Sequence, residues 1–251
     1  MHSQHEYSHL ACKPYYNLKW DFPIRELANH RVKLVPWVSE LYAEAFFQGV
    51  CAYPSFYDNI HVPPFTSSKD VKSMIDGWVD PKIGWAIFAM LDVSQPNAHA
   101  LTPPLAGIIA LGAPSVRRRC FEISVLTLPV YHRHNLSMHA IGLVLEYAFA
   151  PAPVGLGLRR VECRAAVRTM EDLRNSPTVR LAKKIGCTQE GVQRWFYAYP
   201  PGRSGMPGEE EDDRASSRHA VLLSICWDDW ENGAKKRIAS WLWATEASAK
   251  L

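Results

Sequence analysis

The stretch 121–175, FEISVLTLPVYHRHNLSMHAIGLVLEYAFAPAPVGLGLRRVECRAAVRTMEDLRN, constrains the fold of this chain more than any other. Phe121 to Leu126 is a short β-rich run that ends near Pro129. A polar, basic turn follows, His132-Arg133-His134-Asn135. From Leu136 to Phe149, the residues Ala140, Leu143, Val144 and Tyr147 recur at the spacing of one buried helical face, and Leu158 to Cys163 reads as a second buried strand. A strand, a polar turn and a helix that opens at the turn make an anion site. The first backbone N–H groups of a helix have no intrahelical partner, and the helix dipole adds positive potential beside them. Arg133 and the flanking imidazoles of His132 and His134 would add side-chain donors.

These residues, with the motifs that follow them, resemble the acyl-CoA-binding core of the GNAT N-acetyltransferase superfamily, in the branch that holds the ribosomal-protein alanine acetyltransferases. That branch runs from a strand and a Pro through Q/R-x-x-G-x-G/A into a helix with a Tyr-Ala-Phe-like end. Leu-x-Arg-Val-Glu, Asn-x-x-Ser, Ala-x-x-x-Gly-Phe, Glu-Gly and Arg then follow. The chain has Pro129, His132 to Ser137, Tyr147-Ala148-Phe149, Leu158-Arg159-Arg160-Val161-Glu162, Asn175-Ser176-Pro177-Thr178, Ala182 to Cys187, Glu190-Gly191 and Arg194 in that order. The likeness extends over roughly half of the chain, which makes it more specific than any single motif. His132 stands at the Gln/Arg position, Asn135 at the motif glycine and Ser137 at the Gly/Ala. Asn accepts positive φ better than other non-glycine residues, and the Ser137 hydroxyl would donate to a phosphate.

The resemblance implies an α/β (α+β) fold: a mixed, mostly antiparallel central sheet with helices on both faces, its central strands splayed near Leu126 and Val161. It implies acetyl-CoA as cosubstrate, with no metal. His132, Arg133, His134, Asn135, Leu136 and Ser137 would hold the pyrophosphate. Leu126, Thr127 and Leu128 would line the pantetheine arm, with the backbone of Leu126 and Leu128 bonding its amides, and Asn175 would hold the same arm or its loop. The implied activity is N-acyl transfer, by expectation N-acetyl, to the amine of a small molecule by direct attack in a ternary complex. A protein N-terminal amine as acceptor, and a GNAT-fold protein that binds a ligand or partner without transfer, stand as alternatives.

Acyl transfer from a thioester to an amine needs a base for the amine, a polarised carbonyl and a stabilised leaving thiolate. Glu122 is the candidate base, because burial between Phe121 and Ile123 would raise its pKa toward neutrality. The competing reading turns Glu122 to the outer face, paired with Arg118 or Arg119. Thr178, at the Ser of Asn-x-x-Ser, is the candidate group beside the CoA sulfur; Asn175 and Thr178 serve equally as helix caps. Ala182 stands where many relatives place a tyrosine acid, and His219 where they carry Asp. Glu190 and Arg194 are expected to pair. Trp78, Trp85, Trp195 and Tyr197 are candidates for an aromatic acceptor pocket, although most such residues are core.

Composition narrows the alternatives. Apolar content of 47% and nine Trp in 251 residues specify a globular chain long enough for a sizeable core. A net charge of +3 gives no nucleic-acid surface, and no run reaches the ~18 apolar residues of a membrane helix. The first residues lack the basic-then-apolar pattern of a signal peptide. Six cysteines without a CxxC pair read as buried reduced thiols rather than disulfides or zinc ligands. A cytoplasmic enzyme of secondary metabolism, monomer or homodimer, is the expectation.

The remaining chain gives the frame. Residues 1–22 read as an extended arm, and 23–251 as one domain. Glu26 to Pro36 is expected as a strand, Val38 to Gly49 as a helix, Ala52 to Phe65 as a loop, and Thr66 to about Trp78 as a capped helix. Trp85 to Leu91 and Leu105 to Leu111 read as neighbouring antiparallel strands, and Val116 to Arg119 as a solvated basic turn. Pro177 to Ile185 is a short helix stopped by Gly186. Thr188 to Tyr199 and Ala220 to Cys226 make a hairpin, interrupted at about 200–218 by an insertion that carries the acidic run Glu209 to Asp213. Asp228 to Trp243 is expected as a last amphipathic helix with several Trp turned inward.

Overall fold

The chain runs through β1 (Leu27–Ala28), β2 (Val32–Pro36), α1 (Ser39–Cys51), α2 (Ser68–Val79), β3 (Ala86–Asp92), β4 (Leu105–Ser115), β5 (Cys120–Thr127), α3 (Leu136–Phe149), β6 (Arg160–Val167), α4 (Pro177–Ile185), β7 (Thr188–Ala198), β8 (Ser217–Cys226) and α5 (Lys235–Leu242). The computed structural model describes residues 22–60, 62–80, 84–94, 103–167, 176–198 and 217–244. The N-terminal arm, Asn175 and the acidic insertion lie outside the described residues. One eight-stranded sheet takes the order β1-β2-β3-β4-β5-β6-β8-β7. Every neighbouring pair is antiparallel except β5–β6.

Helices cover both faces, so the central strands read as continuous apolar runs. All of β3, AIFAMLD, is buried. Alternate residues go opposite ways: Ala86, Phe88 and Met90 join Phe121, Ile123 and Val161 under α3 and α5. Ile87, Ala89 and Leu91 join Ile108 and Ala110 under Phe46 and Val50 of α1 and Val71 and Ile75 of α2. α4 packs Val179 and Ala182 onto Ala165 and Val167 of β6 and Val221 and Leu223 of β8, on the α3 side by strand alternation.

Several boundaries move from the sequence reading. The expected strand Glu26–Pro36 is a tight hairpin, because the Asn29 carboxamide oxygen accepts from the N–H groups of Arg31 and Val32, both at 2.9 Å. The expected loop 52–65 contains a 3₁₀ turn at Pro54–Asn59. β6 starts at Arg160 rather than Leu158, whose N–H instead bonds Ala148 O at 2.8 Å. The α2 start is capped as expected, with Asp70 accepting from Ser67 N–H at 3.0 Å. α4 has Pro177 at its start and left-handed Gly186, φ 119°, at its stop. In the tail Trp230 is buried and Trp241 packs beside the core, but Trp227 and Trp243 are exposed. The five described cysteines are free thiols, and Cys51 is exposed rather than buried.

Candidate active site

β5 and β6 pair only at Cys120–Glu122 against Arg160–Glu162. Beyond that point each strand keeps its outer partner: β5 stays with β4 to Thr127, and β6 stays with β8 to Val167. A wedge therefore opens in the middle of the sheet past Glu122 and Glu162. Leu126 lies in the opened part, as expected, whereas Val161 lies in the paired part opposite Phe121.

Backbone parity decides which groups face the wedge. Leu128 N–H donates to Ala106 O at 2.9 Å, and Leu126 lies opposite Ile108. Antiparallel neighbours alternate between bonded and non-bonded pairs, so Leu126 spends its backbone groups, and Leu128 its N–H, on β4, while Leu128 O accepts from Tyr131 N–H at 2.9 Å. Val125 and Thr127 direct theirs away from β4, into the wedge. This reverses the expectation that Leu126 and Leu128 would present them. β4 can lie this close only because residue 107 is Gly: at φ 155°, a Cβ there would sit 2.2 Å from Leu126 O.

The anion turn lies between the end of β5 and α3. Arg133 and Asn135 both adopt left-handed backbone, φ 71° and 62°. Asn takes this conformation readily, and Arg does so at a cost of about 1–2 kcal/mol. The first intrahelical bond is His139 N–H to Asn135 O at 3.2 Å, so the N–H groups of Leu136, Ser137 and Met138 have no partner within the helix. His132, Arg133, His134 and Asn135 are exposed, while the Leu136 side chain is buried and offers only its backbone. The Ser137 and Thr127 hydroxyls lie 2.6 Å apart, and His132 Nε2 is 3.2 Å from Thr127 O. Sequence reasoning missed Arg31. From the β1–β2 turn its Nη2 donates to His134 O at 3.3 Å, and its Nε is buried without a partner.

Glu122 lies at the apex of the wedge. Its neighbours Phe121 and Ile123 pack under α3, so by alternation the carboxylate is on the α1/α2 side. It is neither solvated nor paired with Arg118 or Arg119. It forms an ion pair with Arg164 of β6, and its side chain is only 13% exposed. Burial pushes the Glu122 carboxyl up, the Arg164 charge pulls it back, and the Glu162 charge adds to the rise. The pair ends a ladder of alternating charge. Arg164 Nη2 is 3.7 Å from Glu162, and Arg160 donates to Glu162 at 2.8 Å and to Glu190 through two bonds of 2.5 Å. Glu190 also accepts from Ser224 at 2.7 Å. The Arg160 guanidinium holds Glu190 down at about 2. The expected partner of Glu190, Arg194, is exposed on β7.

Aromatic groups flank the apex. Gly112 of β4 pairs with Glu122, and the Trp85 indole covers it so closely that a Cβ at Gly112 would lie 2.3 Å from the ring. Trp78 packs on Trp85 at 6.2 Å. On the β6 side Phe196, absent from the sequence candidates, has the Arg164 guanidinium 5.2 Å above its ring. Trp195 does not join this wall. A register shift between Gln193 and Tyr197, with Trp195 at φ 56°, turns its ring onto that of His219, whose Nδ1 accepts the Trp195 backbone N–H at 3.0 Å. His219 pairs with Val167, so this contact lies on the α4 side. Tyr197 lies opposite Arg218 and contacts the edge of Phe196 at 4.9 Å.

Thr178 is exposed in the first turn of α4, beside buried Val179. Since α4 and Glu122 are on opposite faces of the sheet, the two would meet only through the wedge. Among the described residues Cys226, Asp228 and Asp229 could hold a metal ion, but Asp229 already accepts Cys226 N–H at 2.9 Å as a helix cap. No helix among the described residues is long and apolar enough to cross a membrane.

No protein-family model matches the chain, and no curated protein matches it. Solved structures do. A GCN5-related N-acetyltransferase from Brucella melitensis superposes with TM-score 0.67 at 19% identity, covering 88% of this chain and 86% of that one. A spermidine N-acetyltransferase from Vibrio cholerae, solved with CoA and spermine, superposes with TM-score 0.55 at 15% identity, covering 81% of this chain and 100% of that one. At these identities the likeness establishes the fold, and the fold is that of the GNAT acetyltransferases.

Proposed function

We propose that the chain is an acyl-CoA-dependent N-acyltransferase, moving an acetyl group from acetyl-CoA to the amine of a small molecule by direct attack in a ternary complex. The motif order supports an assignment to the ribosomal-protein alanine acetyltransferase-like branch. One observation carries this reading. The wedge connects a turn with two left-handed residues and unpartnered helix N–H groups, at one end, to a buried carboxylate at the other. The backbone of Val125 and Thr127 lines the passage between them.

The residues fit the cosubstrate. The N–H groups of Leu136 to Met138, with Arg133 and Arg31, suit a pyrophosphate. Val125 and Thr127 present strand-type donors and acceptors to an amide-bearing arm. Acetyl-CoA would supply the activated thioester. On the α1/α2 side Glu122 would take a proton from the incoming ammonium, a task that its raised affinity for protons favours. Trp78 and Trp85 would exclude water from the reacting amine. Thr178, exposed in the first turn of α4, would donate to the departing sulfur.

A fold that binds a ligand or partner without transfer has one observation in its favour, because the Glu122 carboxylate is already engaged by Arg164. The test is release of free thiol from acetyl-CoA with a panel of small amines and a peptide with a free N-terminus. Thiol release with an acetylated small amine supports the reading. Acetylation of the peptide alone makes the chain an N-terminal acetyltransferase, and tight CoA binding without any product leaves the binding protein.

A further inference from the structure

The ladder that ends at Glu122 contains a residue with more engaged edges than a surface ion pair needs. Arg164 stands on β6 two residues past the last position paired with β5. Its backbone is thus on the far arm of the wedge, while Glu122 is at the apex on the near arm. The guanidinium reaches back across the opening, with Nη1 on Glu122, Nη2 3.7 Å from Glu162, Nε bonded to Gln193 Oε1 at 3.0 Å, and its plane 5.2 Å over Phe196. Both side chains are mostly buried, 17% and 13% exposed. Three anchors fix the direction of the fourth contact. A planar fork can do this, and the point charge of a lysine cannot.

We infer that Arg164 is a positioning residue, clamping the Glu122 carboxylate at the apex of the wedge and setting the direction from which it meets the acceptor amine. This rests on the acyltransferase reading given above. Arg164 touches neither thioester nor amine; it acts through Glu122. The charged groups facing Glu122 are Arg164 and Glu162, both from β6, with Arg160 one contact and Glu190 two contacts further along the ladder. Its register partner on β4 is Gly112, which the Trp85 ring covers, and neither carries charge.

The sign of the effect follows. With Arg164 in place, its charge opposes burial and the Glu162 charge, so Glu122 is ionised to lower pH. With Arg164→Gln, those two influences act unopposed and the carboxylate keeps its proton to higher pH. The acid limb of kcat/KM should then move upward by about one pH unit or more. At a pH on that limb, turnover should fall about tenfold or more with the KM for acetyl-CoA unchanged. Arg164→Lys should recover part of the loss. Arg160→Gln removes the next rung, which contacts Glu162 and Glu190, and should leave the limb nearly in place.

The experiment is the pH–rate profile of wild type, Arg164→Gln, Arg164→Lys and Arg160→Gln, beside a carbon-13 titration of the side-chain carboxylates in glutamate-labelled protein, with Glu122→Gln to assign the signal. An upward shift in both the limb and the Glu122 titration supports the inference. An unmoved limb in folded, active Arg164→Gln overturns it, as does a shift of equal size in Arg160→Gln. Wild type without turnover on any amine defeats the acyltransferase reading instead. The carboxylate titration then decides alone: a shifted Glu122 in Arg164→Gln upholds the clamp, and an unshifted one removes it.

Discussion

The Ser137 and Thr127 hydroxyls lie 2.6 Å apart, tying the first turn of α3 to the last residue of β5. The two features of the proposed cosubstrate site, the helix N-terminus and the mouth of the wedge, are therefore held in one geometry. Thr127→Val removes the hydroxyl while keeping the strand shape. It should lower the unfolding free energy by about 1 kcal/mol and weaken acetyl-CoA binding about threefold or more. Denaturant titration and calorimetry measure the two effects. Unchanged affinity would mean that the tie is structural only.

Asn135 is held at φ 62°. Asn135→Gly should be close to neutral for stability, whereas Asn135→Ala should cost about 1 kcal/mol, because an alanine Cβ crowds the following carbonyl in this conformation. Equal melting temperatures for the two variants would show that the turn does not need left-handed backbone.

Gly107 makes a sharper case. Its Cβ would lie 2.2 Å from the Leu126 carbonyl oxygen. Gly107→Ala should cost about 3 kcal/mol by forcing β4 and β5 apart, and the loss of pairing should narrow the wedge. A wild-type melting temperature would contradict the β4–β5 register.

His139 gives the pH dependence of folding. It is buried between Asn29 and Trp241, with the Asn29 amide 2.8 Å from Nδ1, so that nitrogen accepts and the ring is neutral. Burial, then the charges of Arg31 and His30, holds its pKa at about 4 against an ordinary 6.5. The unfolded chain takes up the proton first as pH falls. The stabilising contribution of His139 is therefore full above pH 6.5 and is lost as pH falls through about 4, on the order of 3 kcal/mol in all. His139→Gln should flatten the pH dependence of unfolding in that window. An identical slope in both proteins would assign it to other groups.

The parts legible in the sequence were those fixed by local chemistry. α3 announced itself by periodicity, α4 by Pro177 and Gly186, and the turn by Asn135, whose φ is a property of one residue. What escaped depended on pairing across distance. Whether Leu126 or Val125 faces the wedge is a one-residue question of register, settled by Leu128 bonding Ala106. Arg164 and Glu122 are 42 positions apart, Arg31 and His134 103, and no spacing rule reaches them. Trp195 was misplaced because a bulge turned it to the other face, and an exposed aromatic strand gives no local sign of a bulge. The Asn29 turn could have been read, since an Asn side chain bonds the backbone two residues on and is a turn signal even inside a strand-like run.

The most direct test of the account is calorimetric titration of acetyl-CoA into wild-type protein, repeated with Arg133→Ala and Arg31→Ala. The account predicts one site per chain with micromolar affinity, weakened about tenfold by loss of either arginine at the turn. No binding to the wild type would contradict it, and so would binding that neither arginine affects.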